Sequence, residues 1–382
     1  MTHDPTHCPA PVKAWLAMPM EESAATAVER VRRAQDVAHV AVMPDVHAAG
    51  DACVGTATAT RRLVYPSAVG GDIGCGMLAV AFDAEADALR DPSRAGAVLR
   101  LLGERIPAQR RSRRNVMPLP PGLSPQDLSH PSLVSAVRDE ARLQLGTLGG
   151  GNHFVELQVG EQGRLWLMIH SGSRAVGQAV KAHHLARATV RSASMLALDT
   201  ATDDGRAYLH DQEWARAYAD ANRRAMAEHA VAAVKEALDV DVDEGTTIAC
   251  DHNHVRAEQH FGGTLLVHRK GAMPADAGLA GVVPGSMGTL SYHVEGRGVA
   301  DSLRSSAHGA GRLLSRGACR ERFTRQDLRR QMEGTWFDPR LTDALREESP
   351  RGYKDVRSVM RAQAQLVKVV RTLRPVLVYK GR

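Results

Sequence analysis

The chain of 382 residues predicts a mixed α/β fold of the α+β type: one large domain in which several packed β-sheets are flanked by helices. Three observations carry that reading. Helix-like and strand-like segments interleave without a fixed period, which excludes a repeat array. With 43% hydrophobic residues, a chain of this length buries one large core or two moderate ones without a disulfide or metal staple. The strings that carry chemistry are spread along the whole sequence and must converge on folding, which favours a single unit over residues 1–382.

In chain order, alanine, leucine and arginine with apolar residues three and four apart predict a helix near 22–36. HVAVM at 39–43 and MLAVAF at 77–82 read as strands, and a second helix is expected near 86–103. The proline-rich VMPLPPGLSPQDL at 116–128 has the composition of a linker, but chemical strings lie on both sides of it, so about 105–128 is read as a surface loop. A helix near 132–145 is followed by strands FVELQV at 154–159 and LWLMI at 165–169. Helices near 176–198 and 211–238 form a helical excursion, with DTATDDGR at 199–206 and DVDVDEG at 239–245 as solvated connections. Strands TIAC at 247–250 and TLLV at 264–267, a helix near 354–373 and a strand VLVY at 376–379 complete the order.

The N-terminal stretch has no apolar run after its charges, and no uncharged apolar stretch of about eighteen residues occurs anywhere, so neither secretion nor membrane insertion is expected. The five cysteines (Cys8, Cys53, Cys75, Cys250, Cys319) are scattered without CxxC pairs, which argues against a disulfide framework and a zinc ribbon and for a cytoplasmic location. A formal charge of +6 owes much to arginine, with a dense group at Arg105, Arg110, Arg111, Arg113 and Arg114. Guanidinium forks grip phosphate oxygens, so a polyanionic partner fits this group; charge alone does not separate that from a solvated loop.

Four glycine-marked strings gather metal-ligating groups: GGDIGCGM at 70–77, LGGGNHFVEL at 148–157, HSGSR at 170–174 and DHNHV at 251–255. Asp72 and Cys75 lie three apart in a tight turn, and a thiolate can bridge two cations. His153, His170 and His252 each stand at a strand end, where a sheet holds a ligand rigidly. Asp251 or Asn253 could orient an imidazole from behind. Alone, each histidine is more often a hydrogen-bonded structural residue; together the five make a metal set. Its softness is borderline and suits Mn²⁺, Zn²⁺ or Co²⁺. His254, His260, His268 and His293 lack the same context. A fifth string, SSAHGAGR at 305–312, offers His308 as a nucleophile between small residues.

The strings GGDIGCGM, GGGNHFVE, HSGSR, HN, PGSMGT, HGAGR and a terminal YKG, in this order, resemble the RNA-splicing ligase RtcB family. The resemblance runs from about Met43 to Gly381 and includes MPDVH at 43–47. It implies an RtcB-like fold and a ligase joining RNA 2′,3′-cyclic phosphate or 3′-phosphate ends to 5′-hydroxyl ends, with GTP and two Mn²⁺ ions. By the same resemblance Asp72, Cys75 and His153 hold one ion, Cys75, His170 and His252 hold the other, and His308 becomes covalently guanylylated. Guanylate contacts carry over to Asn152, Glu156, Ser286, Ser291, Gly309, Ala310, Gly311, Tyr353 and Lys380. Contacts to RNA carry over to Asp45, His47 and Arg174, and some relatives use an archease-type activator protein.

If 152–156 is extended, Asn152 and Glu156 project to one side and His153 to the other. The loop after His47 departs from the family pattern, with Ala49 and Asp51 in place of glycines, as in a compact, divergent member. Two other readings stand beside the ligase. One is a metal-dependent phosphodiesterase or cyclic-phosphate hydrolase with water as nucleophile; the other is a non-catalytic RNA-binding protein with a structural metal.

Overall fold

Four sheets organise the computed structural model, which describes residues 8–381. The reading of residues 1–7 as part of a leaderless start lies outside the described residues. The largest sheet has seven strands in the order β10 (Val242–Asp251), β5 (Gly76–Glu85), β7 (Arg164–Ser171), β6 (Phe154–Gly160), β17 (Val367–Tyr379), β15 (Ser291–Gly296) and β14 (Ala280–Val283), antiparallel throughout. Alternation of period two sends Leu78, Val80, Phe82, Leu157, Leu167 and Ile169 to one face. There they pack on helix α2 (Pro92–Arg105) and the long helix α5 (Asp203–Leu238) through Leu102, Met226 and Val234. The opposite face carries Phe154, Glu156, Met168 and His170 into a cavity.

The five-stranded sheet runs β1 (Val12–Ala14), β2 (Val37–His47), β3 (Val54–Thr60), β12 (Gly263–Lys270) and β11 (Asn253–His260). Strand β2 is buried on both faces, which explains its continuous apolar run. Ala41 and Met43 enter one core, while Val40 and Val42 meet helix α1 (Glu22–Arg32) in another. A two-stranded sheet pairs β13 (Ala272–Pro274) with β16 (Ser305–Ala307), and a three-stranded sheet orders β4 (Leu63–Val64), β9 (Met195–Asp199) and β8 (Val190–Ser192). Helices α3 (Pro131–Gln144) and α4 (Ala175–Arg187) pack on α5 around Val137, Val180 and Tyr218. Short helices α6 (Arg316–Arg322), α7 (Arg325–Gln331) and α8 (Val356–Ala362) complete the chain.

The expected helix near 132–145 forms as read, that near 22–36 stops at Arg32 with Asp36 turning the chain at a φ of 68°, and the second helix is broken at its start. A 3₁₀ turn at Ala86–Arg90 precedes α2, because Asp91 caps Ser93 N at 2.8 Å and Pro92 takes the first helical position. The expected helix 176–198 is a correction: α4 stops at Arg187, and residues 190–199 form the β8–β9 hairpin. Ala193 and Ser194 turn it with φ of 48° and 66°. Good helix formers yield here because Met195 and Ala197 bury on one side and Leu198 on the other, a period of two.

The acidic connections are also shorter than read. Helix α5 starts at Asp203, with Thr202 accepting from Gly205 N and two aspartates in the positive first turn; β10 starts at Val242. The expected helix 354–373 holds only to Ala362. Beyond it β-branched Val367, Val369 and Val370 open β17, which pairs with β15 and β6. The segment after Arg105 is the surface loop expected; Met117, Leu119 and Leu123 pin its underside to the α3–α5 core. Among the described residues no helix is long and apolar enough to cross a membrane.

Leu167 is fully buried between the central sheet and α5. Leu167→Ala is expected to destabilise the fold by about 2–5 kcal/mol, read as a lowered midpoint in chemical denaturation. Leu279→Ala, at a 44% exposed side chain, is expected to leave that midpoint unchanged.

Candidate functional site

The chemical residues meet at one end of four neighbouring strands, β10, β5, β7 and β6. Register does the gathering: Gly76 faces Ser171 on one side and Asp251 on the other, and His170 faces Phe154. With strands about 4.8 Å apart, Cys75, His170, His252 and His153 fall within one small volume although they span much of the sequence. The turn that delivers Asp72 and Cys75 closes with Cys75 N donating to Asp72 O at 3.1 Å. Gly74 turns it with φ of 72°, where a Cβ would strike the Arg216 backbone.

His153 Nε2 lies 2.9 Å from Asp72 Oδ2 and 3.5 Å from Cys75 Sγ. His170 Nε2 lies 3.3 Å from Cys75 Sγ and 3.4 Å from His252 Nε2. Two triads result, Asp72–Cys75–His153 and Cys75–His170–His252, with Cys75 in both. Nδ1 of His153 meets Leu148 O and Nδ1 of His170 meets Asn152 O, each at 3.0 Å. A carbonyl only accepts, so these Nδ1 atoms carry protons and each Nε2 faces inward.

Burial dominates the electrostatics of the cluster. It pushes His170 and His252 well down, helped by neighbouring imidazoles, so both stay neutral and able to ligate. It pushes the Cys75 thiol up, and the Asp72 carboxylate pushes the same way. At Asp72 burial opposes ionisation, yet His153 outweighs it and holds the carboxyl below its usual range. A cation among these donors would offset the burial of both anions. Its fit is geometric as well: ligand atoms about 2.1 Å from an ion in tetrahedral array stand about 3.4 Å apart, close to the spacings of the second triad.

Helix α5 fixes the turns that carry the donors. Arg223 Nη1 donates to Gly74 O at 2.6 Å and Ser171 O at 3.1 Å. Asn222 donates to Gly172 O at 3.2 Å and accepts from Thr147 N at 3.2 Å. Arg216 binds Asp251 at 2.6 Å. Of the two residues expected to orient an imidazole, neither bonds His252. Asp251 turns to Arg216 and His254, and Asn253 bridges Asp72 O at 3.0 Å to Gly271 N at 2.8 Å, tying the metal turn to the neighbourhood of His308.

His308 follows β16, with its ring centroid 4.5 Å from that of His252. Its Nδ1 lies 2.7 Å from Asp45 Oδ2, and its backbone N donates to the same oxygen at 3.2 Å. Asp45, expected beside RNA, has no exposed side-chain surface and is bound to His308. Gly311, with φ of 72°, lies so close to Asp45 O that a Cβ would stand 2.2 Å away. His47 lines the cavity and points Nδ1 at Asp45 O, 2.9 Å away, and burial pushes it down to about 4. Arg174 lies outside the cavity wall, at a strained φ of 59°, with its guanidinium against Gly149.

Above the histidines opens a cavity of about 390 Å³, lined by Asn152, Glu156, Ser286, Ser291, Gly309, Ala310, Gly311, Tyr353 and Lys380. Asn152 and Glu156 share this wall while His153 turns to the metal turn, the division expected of an extended 152–156. Burial raises Glu156 to about 8, against a hydrogen bond from Gln158 Nε2 at 2.6 Å. Ser291 Oγ accepts from Gly285 N at 3.3 Å, and Ser286 shares a hydrogen bond with Thr289. Tyr353 and Lys380 converge on a residue the motifs did not reveal. Glu348, 1% exposed, accepts from Arg312 at 3.2 Å, Arg316 at 2.9 Å and the Tyr353 hydroxyl, with Lys380 Nζ at 3.8 Å. Burial opposes its ionisation, but Lys380 and Arg312 prevail and hold it anionic. The only sequence signal was its place five residues before Tyr353. Asp51, the unexpected carboxylate, faces Ser67 rather than the cavity.

A family model described as tRNA-splicing ligase RtcB matches residues 27–126 and 124–381. The RNA-splicing ligase RtcB of Escherichia coli K12 is 34% identical over 406 aligned positions, covering 97% of this chain and 98% of that protein. RNA-splicing ligase RtcB2 of Escherichia coli strain ATCC 25922 is 32% identical over 360 positions, covering 89% and 87%.

Because Cys75 serves both triads, Cys75→Ala is expected to weaken divalent-cation binding at two sites by at least tenfold. His153→Ala is expected to weaken one. Equilibrium dialysis with Mn²⁺, Zn²⁺ and Co²⁺ measures both stoichiometries, and equal losses in the two variants would contradict the shared sulfur.

Proposed function

The chain belongs to the RtcB family of RNA ligases, and from that premise we propose that it seals RNA through a covalent histidine–GMP at His308, using GTP and two Mn²⁺ ions. It joins 2′,3′-cyclic phosphate or 3′-phosphate ends to 5′-hydroxyl ends. The observation that carries this reading is the Asp45–His308 pair. With Nδ1 held at 2.7 Å by a buried carboxylate, the lone pair is on Nε2. Nε2 attacks the α-phosphorus of GTP; the N–P bond forms as the bond to the bridging oxygen breaks, and pyrophosphate leaves. Asp45 balances the positive charge that develops on the ring.

An RNA 3′-phosphate oxygen then attacks the same phosphorus, the N–P bond breaks, and the lone pair returns to His308. The product is an RNA-3′-pp-5′-G end. Attack by the 5′-hydroxyl on the RNA phosphate expels GMP and leaves a phosphodiester. A cyclic phosphate end is first opened by water to the 3′-phosphate. Asp72, Cys75, His153, His170 and His252 would hold the ions, which supply charge neutralisation at phosphorus. Their borderline donor set accepts Mn²⁺, and the family resemblance selects it over Zn²⁺ or Co²⁺.

On the nucleotide side, amides at Gly309 and Gly311 approach phosphate without side-chain obstruction. Asn152, Ser286, Ser291, Tyr353 and Lys380 surround the guanylate, with Glu348 holding the last two in place. Glu156 accepts from the guanine edge, where adenine presents an acceptor. His47 and Arg174 are the proposed contacts to the RNA end. The whole chain works as one catalytic unit in the cytoplasm, where its unpaired cysteines stay reduced, and an activator protein assists turnover. A cyclic-phosphate hydrolase would share the ions but has no use for a buried guanine-sized wall.

Incubation with α-labelled GTP and Mn²⁺ is expected to label the protein and His308→Ala is expected to remain unlabelled; no label on the wild type would favour the hydrolase. Since Glu156 sits near 8 in the free protein and must be ionised to accept from guanine, GTP affinity is expected to rise with pH up to about 8 and then level. Titration calorimetry in buffers of different ionisation enthalpy would show proton release below that pH, absent in Glu156→Gln.

A further inference from the structure

We propose that the RNA strand leaves the reaction centre along Arg113, Arg114 and Arg142, an exposed cationic track built beside the metal turns. The proposal rests on the chain's being an RNA ligase and extends that reading from the reacting ends to the strand behind them. Backbone bonds hitch the arginine-rich loop directly to the site. Leu148 N donates to Pro107 O at 3.0 Å, and Gly149 N, at the start of the triple-glycine turn before His153, donates to Ala108 O at 2.7 Å. Further along, Arg111 N donates to Leu143 O at 2.8 Å, at the end of α3.

The arginines of the loop divide by what they touch. Arg111 spends its guanidinium on Leu145 O at 2.9 Å and Gly146 O at 3.1 Å, and so shapes the loop. Arg105 pairs with Glu236, and Arg110 pairs with Glu140 at 2.9 Å. Arg113, Arg114 and Arg142 are exposed and pair with no carboxylate among the described residues. Arg113 and Arg142 flank a small cleft with an apolar floor of Val116 and Leu143, whose one carboxylate, Asp139, is held by Arg138 at 3.7 Å.

In the other arginine-dense segment, 316–346, most guanidiniums are spent on carboxylates, and only Arg322 and Arg329 have no such partner among the described residues. There Arg320 pairs with Glu347, Arg325 with Asp343, Arg330 with Asp327 and Arg340 with Asp338. Unpaired guanidiniums repel one another in the free protein, and a row of phosphates removes that repulsion while releasing counterions. Ala108 and Arg114 are six residues apart, at most about 20 Å, so a strand anchored at the histidines reaches the track within a few nucleotides.

The test compares the wild type with the triple variant Arg113→Gln, Arg114→Gln, Arg142→Gln, which removes exposed charges only and is expected to melt as the wild type does. Binding to a 3′-phosphorylated single-stranded RNA of about 20 nucleotides is measured against salt, beside an RNA of about four nucleotides. At about 0.7 per phosphate contact, the slope of log affinity against log salt for the long RNA is expected to fall by about 2, with affinity at 0.1 M salt down roughly a hundredfold. The short RNA and labelling by GTP are expected to be unchanged. Equal slopes for both proteins on the long RNA overturn the track and leave the patch to a protein partner. The binding arm decides the path whether or not the protein takes label from GTP, so failure here and failure of guanylylation are told apart.

Discussion

The Cys75 sulfur is the point on which the site depends. Two sets of donors share it, and a thiol so deeply buried beside a carboxylate resists ionisation on its own. Such a group becomes a thiolate only when positive charge stands against it. The surroundings follow from that constraint. Imidazoles rather than further acids complete the set, burial keeps His170 and His252 neutral, and carbonyl acceptors at Leu148 and Asn152 fix which nitrogen of His153 and His170 faces in. The same dry environment that makes the thiol reluctant makes every charge beside it more responsive to a cation.

A second charge balance operates across the cavity. Glu348 is an anion surrounded by Arg312, Arg316, Tyr353 and Lys380, so that wall presents cations and donors that are already oriented. Glu156, on the neighbouring strand, is the opposite case: burial outweighs the help of Gln158 and Lys380 and raises its carboxyl to about 8. One wall offers standing charge, the other a proton it can release.

The site was more legible in the sequence than the scaffold, for a physical reason. Cys75, His153, His170 and His252 each stand beside glycine or at a strand end, and both the chemistry and the turn are written locally. Residues 190–199 and 363–373 were misread because alanine, leucine, valine and arginine serve either period, and the choice was made by partners distant in sequence: Leu63–Val64 for β9, β15 and β6 for β17. Asp45, Asn253 and Glu348 were invisible in their actual roles for the same reason. A carboxylate that orients a histidine 263 residues away leaves no mark on its own neighbours.

Helix α5 offers its Arg216, Asn222 and Arg223 to the backbone or side chains of Gly74, Thr147, Ser171, Gly172 and Asp251, one contact set for each turn that supplies a donor. The helix therefore acts as a common datum. When it shifts, every turn shifts with it, and displacement that would ruin a site assembled from independent loops is subtracted out as shared motion. Loops elsewhere in the molecule can drift or lengthen while the spacing among the five donors is preserved, because that spacing is referenced to a single rigid rod.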